Sequence, residues 1–158
     1  MRFPHIIAND LEGRRYELPD DLPRGPRFVM LAFQRWQVSL LAAWQMPLEH
    51  LVAAHPGASL WEVPALSRLY AAARPYIDGG MRAGIPDPDA RKHTLTSYTD
   101  LRTLATDLDL PTFETVYVFL LDPDGEVVWR ASGEVDDGRL AELAEVLDAV
   151  ASRTESGP

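Results

Sequence analysis

The side chains that could do chemistry in this chain form a small group around the start of one helix. Ser39 lies close to Arg35, and a hydroxyl and a guanidinium beside the free amides of a helix N-terminus could bind an anion. Arg82 is a third member of this pocket if the fold brings the three groups together. These residues support one hypothesis, a thiol-independent enzyme or small-ligand binder. The simpler interpretation is that Ser39 only caps the helix.

Two further groups of polar residues favour structural roles over metal binding. His50 and His55 are five residues apart and do not share a helix face, so we expect no metal there. Asp122 and Asp124 stand in an Asp-Pro-Asp-Gly stretch, which is the composition of a tight turn. We therefore name no catalytic residue, no metal ligand and no cofactor.

The composition argues against several classes of function. The 158 residues contain no cysteine, which rules out disulfides, thiolate catalysis and cysteine-ligated metals. The net charge of −9 argues against a nucleic-acid partner, because binding to phosphates needs clustered lysine and arginine. The longest apolar stretch, Val38–Trp44, is too short for membrane insertion, and the first residues lack the apolar region of a signal peptide. We expect one cytoplasmic domain over residues 1–150 and a flexible tail at 151–158.

Apolar runs predict strands in both halves of the chain. The continuous run at Phe28–Phe33 is typical of a strand buried on both faces. The Asp-Pro-Asp-Gly stretch predicts a tight turn between two antiparallel strands. The predicted strands are 6–8 and 15–18 on either side of a turn, then 28–33, 58–63, 115–121 and 126–131.

Three- and four-residue spacing of apolar side chains predicts the helices. They cover 38–54 with Pro47 inside, 65–81 interrupted by Pro75, a segment that opens at a capping-box pattern in Ser97–Asp100, and 136–150. Short β-α-β connections imply parallel strands, whereas the tight turn requires an antiparallel pair, so we expect a mixed sheet with helices on both faces. The core-facing side of the second helix consists of Leu66, Leu69, Ala73, Ile77 and Met81.

Three segments resemble the thioredoxin-like superfamily. Residues 3–18 are similar to the opening of its peroxidase-type members, and the strand 28–33 followed by Trp36 resembles the strand before their redox loop. The segment Phe119–Gly125 resembles their closing hairpin. The resemblance implies an α/β protein with a thioredoxin-like three-layer α/β/α fold, a mixed central sheet and an N-terminal β extension. Peroxiredoxin-like and cytochrome-maturation-like members carry such an extension.

Two parts of that superfamily's redox site are missing from this sequence. Its C-x-x-C motif would fall at Val38–Leu41, where apolar residues occupy most positions. Its cis-proline would fall near Thr115 and Val116, and it is absent unless Pro111 replaces it from an unusual position. Disulfide exchange and peroxide reduction both need a sulfur nucleophile, so the resemblance implies a redox-inactive member.

A narrower resemblance links the second half of the chain to the mitochondrial ATP synthase assembly factor family, which is also thioredoxin-like in fold. Arg82–Pro86 resembles its R-x-x-I-P segment, and the stretch Tyr117–Gly133 resembles its hairpin. That family chaperones a membrane subunit during assembly. The resemblance implies a bacterial relative that holds an apolar segment of a partner.

The leading hypothesis is therefore a protein partner bound at the surface where the redox motif is lost. Trp36 stands in that loop, and apolar neighbours could extend it into an exposed patch of the kind that marks interfaces. The alternative is that Trp36 only covers its own helix end. Self-association, with a homodimer as the simplest form, is a third hypothesis. The candidate binding residues are Arg35, Trp36, Ser39, Leu40, Leu41 and Arg82.

Overall fold

A computed structural model describes residues 1–156, with side chains described through Arg153. Seven strands form one mixed sheet in this part of the chain, in the order β2-β1-β5-β4-β3-β6-β7. Strands β3, β4 and β5 run parallel to one another, and every other neighbouring pair is antiparallel. The strands are β1 Ile6–Asp10, β2 Arg15–Leu18, β3 Arg27–Ala32, β4 Ser59–Ser67, β5 Leu95–Thr99, β6 Tyr117–Leu121 and β7 Val127–Ser132.

Helices cover both faces of the sheet. They are α1 Val38–Ala54, α2 Arg74–Gly84, α3 Pro88–Lys92, α4 Leu101–Leu108 and α5 Asp137–Ser156. Strand β3 alternates its side chains between the faces, so Met30 packs with α1 and α5 while Leu31 packs with α4 on the other side. This gives the three layers, α/β/α, that the sequence predicts. No helix within residues 1–156 is both long and apolar enough to cross a bilayer.

Helix α1 and the closing hairpin form as the sequence predicts. Leu41, Trp44 and Leu48 recur every three or four residues on the buried side of α1, and the helix continues through Pro47. The indole N–H of Trp44 donates to the Gly133 carbonyl at 2.9 Å, which joins α1 to the end of β7. Helix α5 continues past the predicted end at residue 150, so residues 151–156 are helical, while 157–158 lie outside the described residues.

The predicted helix over residues 65–81 is wrong. Residues 65–67 belong to β4, which is longer than predicted, and a 3₁₀ segment at Arg68–Ala73 follows. Helix α2 begins only at Arg74, with Pro75 in its first turn instead of interrupting it. No residue of the 3₁₀ segment or of α2 is buried, so the apolar spacing does not mark a core face here.

The capping-box pattern at residues 97–100 also misplaces a boundary. Leu95–Thr99 is strand β5, which the sequence does not predict, and the short helix α3 is likewise unpredicted. The N-cap of α4 is Asp100, whose carboxylate accepts the backbone N–H groups of Arg102 and Thr103 at 3.1 and 3.2 Å.

A buried arginine joins distant loops at one end of the sheet. Arg27, the first residue of β3, is 2% exposed. Its guanidinium donates to the Pro19 carbonyl after β2 at 2.9 Å and to the Asp122 carbonyl after β6 at 2.5 Å. Burial lowers the pKa of Arg27, because removing the charge from water disfavours the protonated form. The Arg27 side chain thus ties the N-terminal β extension to the closing hairpin.

Candidate functional site

The loop between β3 and α1 carries an exposed apolar group. It consists of Phe33, Gln34 and a 3₁₀ turn at Arg35–Gln37. Trp36 is 53% exposed and Val38, the first residue of α1, is 58% exposed. Leu40 is half-buried beside them. We call Arg35, Trp36, Val38, Ser39 and Leu40 the Trp36 surface.

Two glutamines hold the Trp36 surface in place. The side chain of Gln37 is fully buried, and its Oε1 accepts the backbone N–H groups of Phe33 at 2.8 Å and of Gln34 at 3.2 Å. Its Nε2 donates to the Phe113 carbonyl at 2.8 Å. Gln34 donates to the same carbonyl at 3.1 Å, and its Oε1 accepts the indole N–H of Trp36 at 3.0 Å. The indole is therefore oriented by the same amides that fix the loop.

These hydrogen bonds connect the two loops that would form a redox site in the superfamily the chain resembles. Phe113 precedes β6, close to Thr115 and Val116, where the sequence comparison would place the cis-proline. The rings of Phe33 and Phe113 pack edge to face with centroids 4.9 Å apart. This apolar contact joins the two loops in addition to the hydrogen bonds of the glutamine side chains. Sequence reasoning missed both glutamines. A polar residue directly before a helix rich in apolar side chains was the available signal.

Two residues named as candidates do not belong to the exposed patch. Leu41 is 2% exposed and packs in the core beneath α1, because it lies on the same side of the helix as Trp44. The Oγ of Ser39 donates to the Trp36 carbonyl at 3.4 Å, so this hydroxyl contacts its own turn. Leu41 is therefore removed from the candidate surface, and Ser39 remains at its edge.

Arg82 lies in another part of the protein surface. Its guanidinium is 3.3 Å from the carboxylate of Glu12 in the turn after β1, and Arg91 lies 3.7 Å from the same carboxylate. Strands β5 and β4 separate β1 from β3, which places the two strands about 14 Å apart. The convergence of Arg35, Ser39 and Arg82 that the small-ligand hypothesis requires is not met, since Arg82 pairs with Glu12 beside β1.

A second polar cluster lies between α2 and β5. The carboxylate of Asp78 accepts the hydroxyls of Thr96 and Tyr98, each at 2.8 Å. The guanidinium of Arg74 lies over the Tyr98 ring, 4.4 Å from its centroid. Burial raises the pKa of the Tyr98 phenol, and the hydrogen bond to Asp78 raises it further. This cluster anchors α2 to the sheet through polar contacts.

His55 and the paired aspartates have structural contacts. The ring nitrogens of His55 lie 2.8 Å from the Leu51 carbonyl and 2.5 Å from the Asp148 carboxylate. Asp122 accepts the backbone N–H groups of Asp124 and Glu126 at 2.9 and 3.0 Å, which confirms the predicted turn. Among residues 1–153, whose side chains the structure describes, no cluster of three or more His, Asp or Glu side chains could hold a metal ion.

Comparison with known proteins identifies the fold. No protein-family model matches the chain, and no curated protein does. BsSco, a member of the Sco family of cytochrome c oxidase assembly proteins, has a TM-score of 0.64 at 13% identity over 96% of this chain and 94% of its own. An Aquifex aeolicus protein assigned to electron transfer has a TM-score of 0.64 at 14% identity, over 95% and 96%. The exposed lipoprotein thioredoxin Etrx1 of Streptococcus pneumoniae has a TM-score of 0.60 at 13% identity, over 90% and 98%.

The mixed sheet, its helical layers and these likenesses define a thioredoxin-like α/β fold, as the sequence predicts. Within that class this chain is a cysteine-free protein: apolar residues and Ser39 fill the first turn of α1, where the redox motif would stand. The narrower resemblance to the ATP synthase assembly factor family stays a prediction.

Proposed function

We propose that this protein is a redox-inactive thioredoxin-like protein that binds a protein partner through the Trp36 surface. The carrying observation is the exposed indole of Trp36, held by Gln34 at 3.0 Å on a loop that buried Gln37 fixes. A large apolar side chain that is both exposed and oriented loses little conformational entropy on binding. Tryptophan and arginine are also among the residues most enriched at the positions that dominate interface energies, and Arg35 adjoins Trp36.

The shape of the site supports a protein partner over a small ligand. A cavity of about 360 Å³ lies beside β7 and another of about 590 Å³ lies beside the N-terminal residues. Neither is lined by Arg35, Trp36 or Ser39. Small-molecule sites are concave and enclose most of their ligand, whereas Trp36 and Val38 protrude into solvent.

The binding role fits assembly or chaperoning of another protein. BsSco, which shares the fold, belongs to a family of cytochrome c oxidase assembly proteins. The resemblance to the ATP synthase assembly factor family points the same way. Since no thiol is present, help given by this chain to a partner would be physical contact and not disulfide exchange.

The test compares Trp36→Ala with Met46→Ala, which removes another exposed apolar side chain farther along α1. Partners captured from the native cell by the parent protein are identified, and the affinity of the purified partner is then measured for each variant. We expect at least tenfold weaker binding for Trp36→Ala and unchanged binding for Met46→Ala, with equal melting temperatures confirming that both fold. Equal affinity of Trp36→Ala and the parent would exclude this surface as the site.

A further inference from the structure

The segment Arg68–Tyr76 is the most exposed apolar part of the structure. Leu69 is 86% exposed, Tyr70 is 57% exposed and Tyr76 is 88% exposed. The three alanines between Tyr70 and Arg74 are exposed as well. Proteins rarely expose so many neighbouring apolar side chains to water unless these side chains bind a partner.

This segment is held by polar contacts at its ends, which leave its apolar side chains free. The Oγ of Ser67 accepts the backbone N–H of Leu69 at 3.2 Å at the start of the segment. Beyond the other end, Asp78 binds Thr96 and Tyr98. The exposed apolar side chains of this segment therefore project from a fixed backbone and do not pack in the core.

The charges on the segment have one sign. Arg68 and Arg74 are its only charged residues, although the whole chain carries a net charge of −9. Arg68 lies 3.9 Å from Asp100, whose carboxylate is already accepting two amides as the cap of α4. The guanidinium of Arg74 covers the Tyr98 ring and, among the described residues, makes no hydrogen bond or ion pair. Carboxylates are the side chains of a partner that would pair most strongly with both guanidinium groups.

We propose that Arg68–Tyr76 is a docking surface for an acidic segment of a protein partner that also carries apolar side chains. Carboxylates of the segment pair with Arg68 and Arg74, while its apolar residues cover Leu69 and Tyr76. Six residues of 3₁₀ helix and the first turn of α2 give the surface a length of about 16 Å, which matches about three turns of a partner helix. This surface is separate from the Trp36 surface, and its proposal does not depend on that one.

A lipid surface fits the observations less well than a peptide. An anionic membrane would face a broad side of the protein and meet its excess of carboxylates. A docked peptide meets mainly Arg68, Arg74 and the neighbouring Asp100, because charges beyond a Debye length of about 8 Å are screened. The segment also follows the end of β4, next to β3, which carries the Trp36 surface at its own end. One partner that is long enough could contact both surfaces.

The test uses two synthetic 14-residue peptides with the same leucine and phenylalanine positions, one with glutamate and one with lysine at the remaining positions. Binding is measured by fluorescence anisotropy, and the site is mapped by amide shifts. We expect at least tenfold tighter binding of the glutamate peptide, with shifts centred on residues 68–76 and weaker binding at higher salt. Equal affinity for the two peptides, or shifts centred elsewhere, would overturn the proposal.

Variants distinguish binding at this surface from binding elsewhere on the protein. Arg68→Glu with Arg74→Glu should reverse the preference toward the lysine peptide, whereas Arg102→Glu, a single charge reversal on α4 outside the segment, should not. Leu69→Ser with Tyr76→Ser should weaken binding at least tenfold at an unchanged melting temperature, because both side chains are exposed. Trp36→Ala should bind the glutamate peptide as the parent does, and loss of binding in that variant would refute the proposal. Two other results would also refute it. One is preferential binding of the parent to anionic vesicles, and the other is self-association of the protein that Tyr76→Ser abolishes.

Discussion

Replacing Gln37 by leucine should destabilise the protein more than its single position suggests. The change keeps the size of the side chain but removes all three of its hydrogen bonds. The backbone N–H groups of Phe33 and Gln34 lose their acceptor, and the Phe113 carbonyl keeps only the bond from Gln34. A buried donor without a partner costs about 1–3 kcal/mol. Because this loop is only partly buried, we expect the free energy of unfolding to fall by about 2–4 kcal/mol.

Urea denaturation followed by circular dichroism measures this loss. With a dependence of about 2 kcal/mol per molar urea, the midpoint should fall by about 1–2 M while the slope stays constant. Gln45→Leu is the matched control, since its side chain bonds only to Glu49 on the same helix at 2.7 Å, and it should change stability by less than about 0.5 kcal/mol. Amide exchange at Phe33 and Gln34 should accelerate at least tenfold in Gln37→Leu.

The reasoning fails if Gln37→Leu unfolds at the same urea concentration as the parent or as the Gln45 variant. In that case water would be replacing the lost amide at no cost, and the orientation of Trp36 would not depend on Gln37. A changed slope with an unchanged midpoint would also contradict it, because the expected loss belongs to the folded state.

Three further predictions concern pH and packing. Burial raises the pKa of the Glu62 carboxyl, so the folded protein holds this proton more tightly than the unfolded chain does. The free energy of unfolding therefore falls as pH rises past the ordinary pKa of glutamate. Glu62→Gln should raise the melting temperature more at pH 8 than at pH 4, and an equal gain at both would contradict this. The pKa of Tyr98 is raised in the folded protein, so its hydrogen bond to Asp78 contributes fully to stability below about pH 10. Above that pH the contribution declines progressively, because the unfolded phenol ionises while the folded one keeps its proton. The stability difference between the parent and Tyr98→Phe should therefore shrink in melts taken above about pH 10, and a constant difference would count against it. Trp44→Phe should lower the free energy of unfolding in urea by about 1–3 kcal/mol, because the hydrogen bond to the Gly133 carbonyl disappears and a void remains. A loss below about 0.5 kcal/mol would show that this hydrogen bond is not needed for stability.

The sequence predicts an element correctly where one local signal, apolar spacing or turn composition, is enough to define it. Helix α1 is predicted with its observed bounds, because Leu41, Trp44 and Leu48 repeat on one side and a core lies beneath them. The closing hairpin follows from the Asp-Pro-Asp-Gly turn between two apolar runs. The fold class follows from the order of these elements.

Prediction fails where apolar residues follow helical spacing but are not buried, or where buried residues are polar. Leu69 and Ala73 belong to the predicted core face of the second helix, yet both are exposed and no residue of the 3₁₀ segment or of α2 is buried. Spacing alone cannot tell a side that meets the core from a side that meets solvent or another protein. Strand β5 is unpredicted for the opposite reason, since two of its three buried residues, Thr96 and Ser97, are polar.

The loop of the candidate site follows β3, as the sequence predicts, but the contacts that hold it could not be predicted. Its position before Val38 follows from where the missing motif would stand relative to β3. Gln37 gives little signal, because a buried glutamine is recognised only when its partner is known, and Phe113 lies in a distant part of the sequence. The grouping of Arg82 with the helix start is wrong for the same reason, since its partner Glu12 lies beyond β1.

The contacts of Arg27 have a consequence for how the molecule opens. An N-terminal hairpin at the end of a sheet is ordinarily the first unit to detach in native-state fluctuations. Here the loop after β2 shares the Arg27 guanidinium with the loop after β6, so release of the hairpin would leave a buried cation with half its acceptors. Amides in β1 and β2 should therefore exchange with solvent only when the central strands do, and the extension and the core should behave as one cooperative unit.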